Sequence, residues 1–167
     1  RLLEAAAKRF GQAEVYRVES ESSPVSFEAN RVKEASLRES SGVALRVISG
    51  SRVGFSSTTN PDAGEQLLDR VADAAPFGAE ARFEFPAPGE LPTVKAFDTR
   101  VGRLTFEELA EIGQVMIDSL KAEWPDLVCD AHLGTSHTTV KIANSAGLDL
   151  SFDRTSFSMW VGGTLIR

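Results

Sequence analysis

Two histidines, His132 and His137, and one cysteine, Cys129, are the residues whose types could hold a metal or attack a carbonyl. A helical zinc site places two histidines four apart, with a glutamate beside the first to act as base. Here neither histidine is followed by glutamate and their separation is five. An odd separation puts them on opposite faces of a strand, and Gly134 between them predicts a turn instead. Cys129 lies among Leu127, Val128 and Ala131, flanks that fit a small buried hydrophobe better than a nucleophile paired with His132. Serines are plentiful, but no Gly-x-Ser-x-Gly elbow is present. Gly50-Ser51-Arg52-Val53-Gly54 is too short for a phosphate loop, which needs a strand feeding a helix N-terminus. The expectation is a chain with no catalytic, cofactor-binding or metal-binding residue of its own.

Arg46 carries more information. It sits in the apolar run Val43–Ile48, where an unpaired charge is expensive, so it must find a carboxylate or a chain terminus. One reading is an internal salt bridge. The other is a guanidinium that anchors the carboxylate of a peptide or the acid of a partner. Asn144-Ser145-Ala146-Gly147 reads first as turn chemistry and second as a loop lining a passage. Candidate peptide or partner contacts are therefore Arg46, Gly50, Gly54, Asn144 and Ser145.

The elements that must position these residues follow from periodicity. Leu2, Leu3, Ala6 and Phe10 repeat at helical spacing before Gly11, a residue suited to a helix C-cap. Strands are expected at Ala13–Ser20, Val25–Ala29 and Val32–Glu39, with a tight reversal at Asn30-Arg31. The strand Val43–Ile48, the turn Ser49-Gly50-Ser51 and the returning Arg52–Ser56 make a hairpin. Asn60-Pro61-Asp62 starts a helix whose apolar face is Leu67, Leu68, Val71, Ala72 and Ala75, and Pro76 stops it. The Pro- and Gly-rich stretch 77–92 connects, and its Phe77, Phe83 and Phe85 predict an ordered loop draped over the core. Thr105 and Glu108 form a capping box before the stripe Phe106, Leu109, Ile112, Met116, Ile117, Leu120, Trp124. Strands at Leu127–Leu133, Thr138–Ala143, Leu148–Phe152 and Phe157–Leu165 complete the chain. The fold class is α+β, mainly antiparallel sheet built from hairpins with about three helices packed on one side. The organisation is a single domain, divisible into subregions 1–76 and 93–167 joined by 77–92.

The chain has 167 residues and a net charge of −6, a length that buries a core without disulfide or metal and a charge that argues against nucleic-acid binding. One cysteine fits a reducing, cytoplasmic setting, and no apolar run is long enough to span a membrane. A start at Arg1 and an end inside an expected strand, at Thr164-Leu165-Ile166-Arg167, are what a piece of a longer protein would show.

Gly42-Val43-Ala44-Leu45-Arg46-Val47, then Gly50-Ser51-Arg52-Val53-Gly54-Phe55, then Ile142-Ala143-Asn144-Ser145-Ala146-Gly147 resemble, in order, segments of the TldD/PmbA family, also called modulators of DNA gyrase. Thr155 falls where that family often has threonine. Ser51 departs from the pattern by separating Gly50 from Arg52, which lengthens the turn by one residue; Pro24 and the Ser20–Ser23 cluster interrupt the early strands. The resemblance implies the N-terminal, non-catalytic domain of a zinc peptidase, or of its zinc-free partner subunit. The catalytic motif, His-Glu-x-x-x-His, would lie after this domain, so zinc would belong to the full-length parent and no cofactor to this chain. Two family subunits, as homo- or heterodimer, would enclose a chamber for extended or unfolded peptides. This domain would shape that chamber and hold peptide along a strand edge, or would serve assembly alone without touching substrate.

Overall fold

The computed structural model describes residues 1–165. The expected end of the chain inside a strand, at Ile166 and Arg167, lies outside the described residues. The element order is α1 (Leu2–Phe10), β1 (Gln12–Glu28), β2 (Arg31–Ala35), β3 (Arg38–Ser49), β4 (Arg52–Thr58), α2 (Gly64–Ala74), α3 (Phe106–Glu123), β5 (Leu127–Asn144) and β6 (Asp149–Leu165). Short helical turns lie at Ala75–Phe77 and Val101–Arg103. The strands form a six-stranded, mostly antiparallel open sheet in the order β4-β3-β1-β5-β6, with β2 on β1. The α+β class expected from the sequence is the observed one.

Two compact units each draw on three segments: 1–19, 40–94 and 139–153 in the first, 20–39, 95–138 and 154–165 in the second. In the first unit, α1 and α2 cover one face of the strands. Ala6, Leu67 and Val71 pack there on Ala13, Val43, Leu45 and Val47, all buried. The alternation of the strands sends Glu14, Tyr16 and Val18, and Gly42, Ala44 and Arg46, to the opposite face. α1 ends at Gly11 (φ 85°), as its C-cap position requires. α2 starts at Gly64, after an Asx turn in which Asp62 N–H donates to Asn60 Oδ1 (3.0 Å).

In the second unit, α3 lays Leu109 and Ile117 on Val25, Phe27, Cys129, Ala131 and Leu133. The Thr105/Glu108 capping box is formed, with Glu108 N–H donating to Thr105 Oγ1 (3.2 Å) and Thr105 N–H to Glu108 Oε2 (2.8 Å). Gly113 is the point of closest approach. A Cβ there would stand 2.6 Å from Phe27 Cζ and 2.9 Å from Leu133 Cδ1, so the Phe27 ring lies where a side chain would be.

Several strand boundaries differ from expectation. Ser20–Ser23 and Pro24 do not interrupt the early strands: β1 runs unbroken from Gln12 to Glu28. The proline is tolerated because its carbonyl still accepts Ser36 N–H (3.1 Å), while its missing N–H merely drops one rung. The expected strand Val32–Glu39 is split between β2 and the start of β3. The reversal falls at Ala29-Asn30, both with positive φ (48° and 68°), one residue before the expected Asn30-Arg31. It is clamped because Asn30 N–H donates to the Cys129 carbonyl and Asn30 Oδ1 accepts Cys129 N–H, each at 2.8 Å. The four late strands are two long ones, and Gly134 makes no turn. Its backbone lies against Pro24 instead, with a built Cβ 3.3 Å from Pro24 Cα.

Candidate functional site

The hairpin carrying Arg46 fixes the geometry of the site. Gly50 and Ser51 form its two-residue turn with φ of 56° and 63°, the left-handed pair that matches the twist of an antiparallel ribbon. Register follows: Ser49 faces Arg52, Val47 faces Gly54, Arg46 faces Phe55 and Ala44 faces Ser57. The serine between Gly50 and Arg52 thus occupies the second turn position rather than distorting the ladder.

Arg46 points away from the helices. Its Nη2 donates to Glu14 Oε1 on β1 at 2.6 Å, a charge-assisted bond. The Glu14 side chain is 9% exposed and that of Arg46 41%, so the acid is the buried partner. The guanidinium carbon lies 5.4 and 5.2 Å from the ring centres of Phe83 and Phe85, within cation–π range. Arg46 Nε is buried and makes no hydrogen bond. The internal salt bridge read from the sequence is therefore present, and it leaves hydrogen-bonding capacity unspent.

The two phenylalanines belong to a strap formed by part of the connecting stretch. Val53 N–H donates to the Ala79 carbonyl (2.9 Å) and Ala81 N–H to the Ser51 carbonyl (2.8 Å), so the strap begins as a short extra rung on β4. It then places Phe83 and Phe85 on Arg46, and Pro86 accepts Asn144 Nδ2–H (2.9 Å). The expected ordered loop is observed, with Phe85 buried at 5% exposure, but Phe77 is 90% exposed rather than covered. Phe77 closes the helical turn after α2, which presents its ring to solvent.

Beyond the strap the face opposite α1 and α2 is bare. A groove of about 860 Å³ runs over it, lined by Tyr16, Val18, Ala44, Phe55 and Ser57 with Arg46 and Arg70. Of these, the sequence reading singled out only Arg46. The period-two alternation of β1 through Glu14, Tyr16 and Val18 was the available signal for the residues on that strand.

The other candidate residues have distinct places. Gly54 is buried on the helix side of β4, where a Cβ would meet Ala75 Cβ at 2.9 Å and the Val71 carbonyl at 3.1 Å. Asn144 is buried and knits a corner: its Oδ1 accepts Ala146 N–H (2.9 Å) and Leu148 N–H (3.2 Å). Ser145 exchanges two bonds with Ala13, Ser145 N–H to the Ala13 carbonyl (2.8 Å) and Ala13 N–H to Ser145 Oγ (3.0 Å). In the second unit, Thr155 Oγ1 accepts Asp98 N–H (2.9 Å) and its own N–H donates to the Ala96 carbonyl (3.0 Å), pinning residues 96–98 along β6. Asp98 in turn holds Arg100 at 2.7 Å, and these bonds draw its carboxyl down to about 2.

Zinc does not fit the residues present. His132 and His137 stand at odd separation in one strand, His132 beside Trp160 (6.1 Å) and His137 beside Phe97 (5.3 Å). No group of three or more His, Cys, Asp or Glu among the described residues is placed to hold a metal. No helix among them is long and apolar enough to cross a membrane.

These features define a class: an open antiparallel sheet domain with helices on one face of its first unit and a strapped, grooved opposite face. Residues 13–75 match the family model of PmbA/TldA metallopeptidase domain 1. Over that stretch, under half of the chain, the sequence is similar to the first domain of the PmbA/TldD family. Among solved structures it is similar to TldE from Thermococcus kodakarensis, with TM-score 0.85 and 19% identity over 99% of this chain and 39% of that one. A candidate modulator of DNA gyrase from Bacteroides thetaiotaomicron matches with TM-score 0.82 and 16% identity, over 99% and 40%. Another, from Thermotoga maritima, matches with TM-score 0.78 and 14% identity, over 98% and 42%. The chain thus spans about two-fifths of the length of these structures. No curated protein matches the sequence.

Proposed function

We propose that this chain is the non-catalytic N-terminal domain of a cytoplasmic PmbA/TldD-type peptidase or of its partner subunit, and that it shapes the space in which extended peptides are held. The observation that carries this reading is the bare, grooved sheet face with Arg46 at one end and the unstrapped part of β4 beside it. A strand edge binds peptide through main-chain hydrogen bonds, which suits unfolded substrates of varied sequence. Beyond Val53 the outer edge of β4 has no strand partner among the described residues, and Phe55 and Ser57 flank the groove there. Hydrolysis falls to zinc in the remainder of a full-length protein, and Arg46, Phe55 and Tyr16 contribute binding only. The buried, free Cys129 supports a reducing compartment. The test is photo-crosslinking of a peptide substrate to the full-length protein, with the labelled sites mapped. Labels within residues 12–59 support the reading, and labels confined to the rest of the protein overturn it.

A second reading, a module for pairing with a homologous subunit, is favoured by β6. This terminal strand of the sheet leaves Phe157 (37%), Met159 (60%) and Trp160 (56%) exposed, more apolar surface than a strand facing only water carries. Charged substitutions at Met159 and Trp160 would abolish a dimer measured by light scattering under that reading and leave it intact otherwise.

A further inference from the structure

The groove has a charged end and an uncharged end. At the Arg46 end the strap places Phe83 and Phe85 on the guanidinium. Away from it, the lining passes through Tyr16, Ala44 and Ser57 to Val18, Gly42 and Thr59 with no such cover. The charged end of the groove is where a terminal carboxylate would find its counter-charge.

The charge at that end is of the right sign. Glu14 is matched by Arg46, and Arg70 adds a second cation to the lining, so the groove carries a surplus of positive charge on a chain whose net charge is −6. Glu14 occupies one terminal nitrogen of Arg46, the side chain remains 41% exposed, and no bond to its other terminal nitrogen is present among the described residues. A guanidinium can take two carboxylates at once because its donors form a planar fork. Next to it, Phe55 (57% exposed) and Tyr16 (40%) offer aromatic surface with nothing on it.

We infer that the groove receives the C-terminal residue of a peptide, its carboxylate on Arg46 and its large apolar side chain against Phe55 and Tyr16. This rests on the peptide-holding reading above and narrows it to peptides with a free, apolar C-terminus. The Glu14 carboxylate holds the guanidinium in place from the sheet side, and the two strap phenylalanines lie against it within cation–π range.

The experiment uses the full-length protein with a photoreactive benzoyl-phenylalanine in place of Phe55. That position is exposed, so the core is untouched. Two fluorescent peptides of one sequence ending in Leu-Phe are compared, one with a free carboxylate and one as the C-terminal amide. Overall binding is read by fluorescence anisotropy and groove contact by the crosslink at position 55. The acid is expected to label position 55 about ten-fold more strongly than the amide, the loss of one charge-assisted contact. Arg46→Gln is expected to bring the acid down to the amide's level. Equal labelling by both peptides overturns the inference without needing that variant to fold. Binding of both peptides with no crosslink at position 55 also overturns it, while leaving a peptide-holding role elsewhere in the domain. Failure of both peptides to bind at all removes that broader reading as well.

Discussion

The Arg46–Glu14 pair predicts an asymmetry that a double-mutant cycle can measure. Arg46→Met keeps an unbranched stem but removes the guanidinium, leaving a carboxylate only 9% exposed without its cation. Breaking a fully buried pair costs about 3–5 kcal/mol. Because the arginine side chain is 41% exposed, water already screens part of this one, and the expected cost is about 2 kcal/mol. Glu14→Gln is different: an amide oxygen still accepts the Nη2 hydrogen, and the guanidinium can hydrate on its exposed side, so the cost is about 1 kcal/mol or less. The double variant should fall short of the sum by about 1 kcal/mol, since removing the charge of either residue already removes the ionic part of the pair. Urea denaturation followed by circular dichroism gives all four stabilities. A cost for Arg46→Met no greater than that of Glu14→Gln would refute the argument, because the acid would then not be the buried partner in solution.

Gly113→Ala gains about 1 kcal/mol of helix propensity but drives a methyl against Phe27 and Leu133, at 2.6 and 2.9 Å. Overpacking outweighs that gain, so net destabilisation of about 1–2 kcal/mol is expected in thermal melts, with partial rescue by Phe27→Leu. Asn144→Ala removes the acceptor for two amides and the donor to Pro86 at a buried position. It should cost about 2 kcal/mol and speed hydrogen exchange at Ala146 and Leu148. Asp98 has a folded pKa of about 2, below its ordinary 3.8. Its contribution is therefore fully present above pH 3.8 and is lost as pH falls through about 2. Carboxyl-carbon NMR should show the depressed midpoint, and Arg100→Ala should return it to the ordinary range.

The helices were readable because their signals are local. Gly11 ends α1 and Thr105 with Glu108 starts α3, each within one turn of the residue it caps. Strand lengths were harder. Pro24 and Gly134 are breakers by type, yet they lie against each other in neighbouring strands, and the pairing that tolerates them joins residues far apart in sequence. Arg46 stood out because a charge in an apolar run demands a partner. The partner, Glu14, could not be named, since charge alone does not say which strand lies beside β3. Gly54 was noticed as part of a motif, but its contact with Ala75 and Val71 depends on where α2 returns to the sheet.

The strap shows most directly how the first unit prepares a surface. Composition predicts that its phenylalanines be covered, but the fold buries only Phe85 and leaves Phe83 46% exposed. The strap lays Phe85, buried, against the Arg46 guanidinium on the face the helices leave open. Had Phe83 and Phe85 packed with the helices instead, Arg46 would be a solvated surface ion pair, worth little for stability or recognition. With the two rings against part of the guanidinium, its interactions gain only in part from reduced access to water, since the side chain is still 41% exposed. Asn144 anchors the strap at Pro86, so the motif residue that forms the late turn also sets the strap over Arg46. That arrangement gives Arg46 and Asn144, which lie far apart in the chain, one common structural task. It also predicts that loosening Asn144 will weaken whatever Arg46 binds, without any contact between the two side chains.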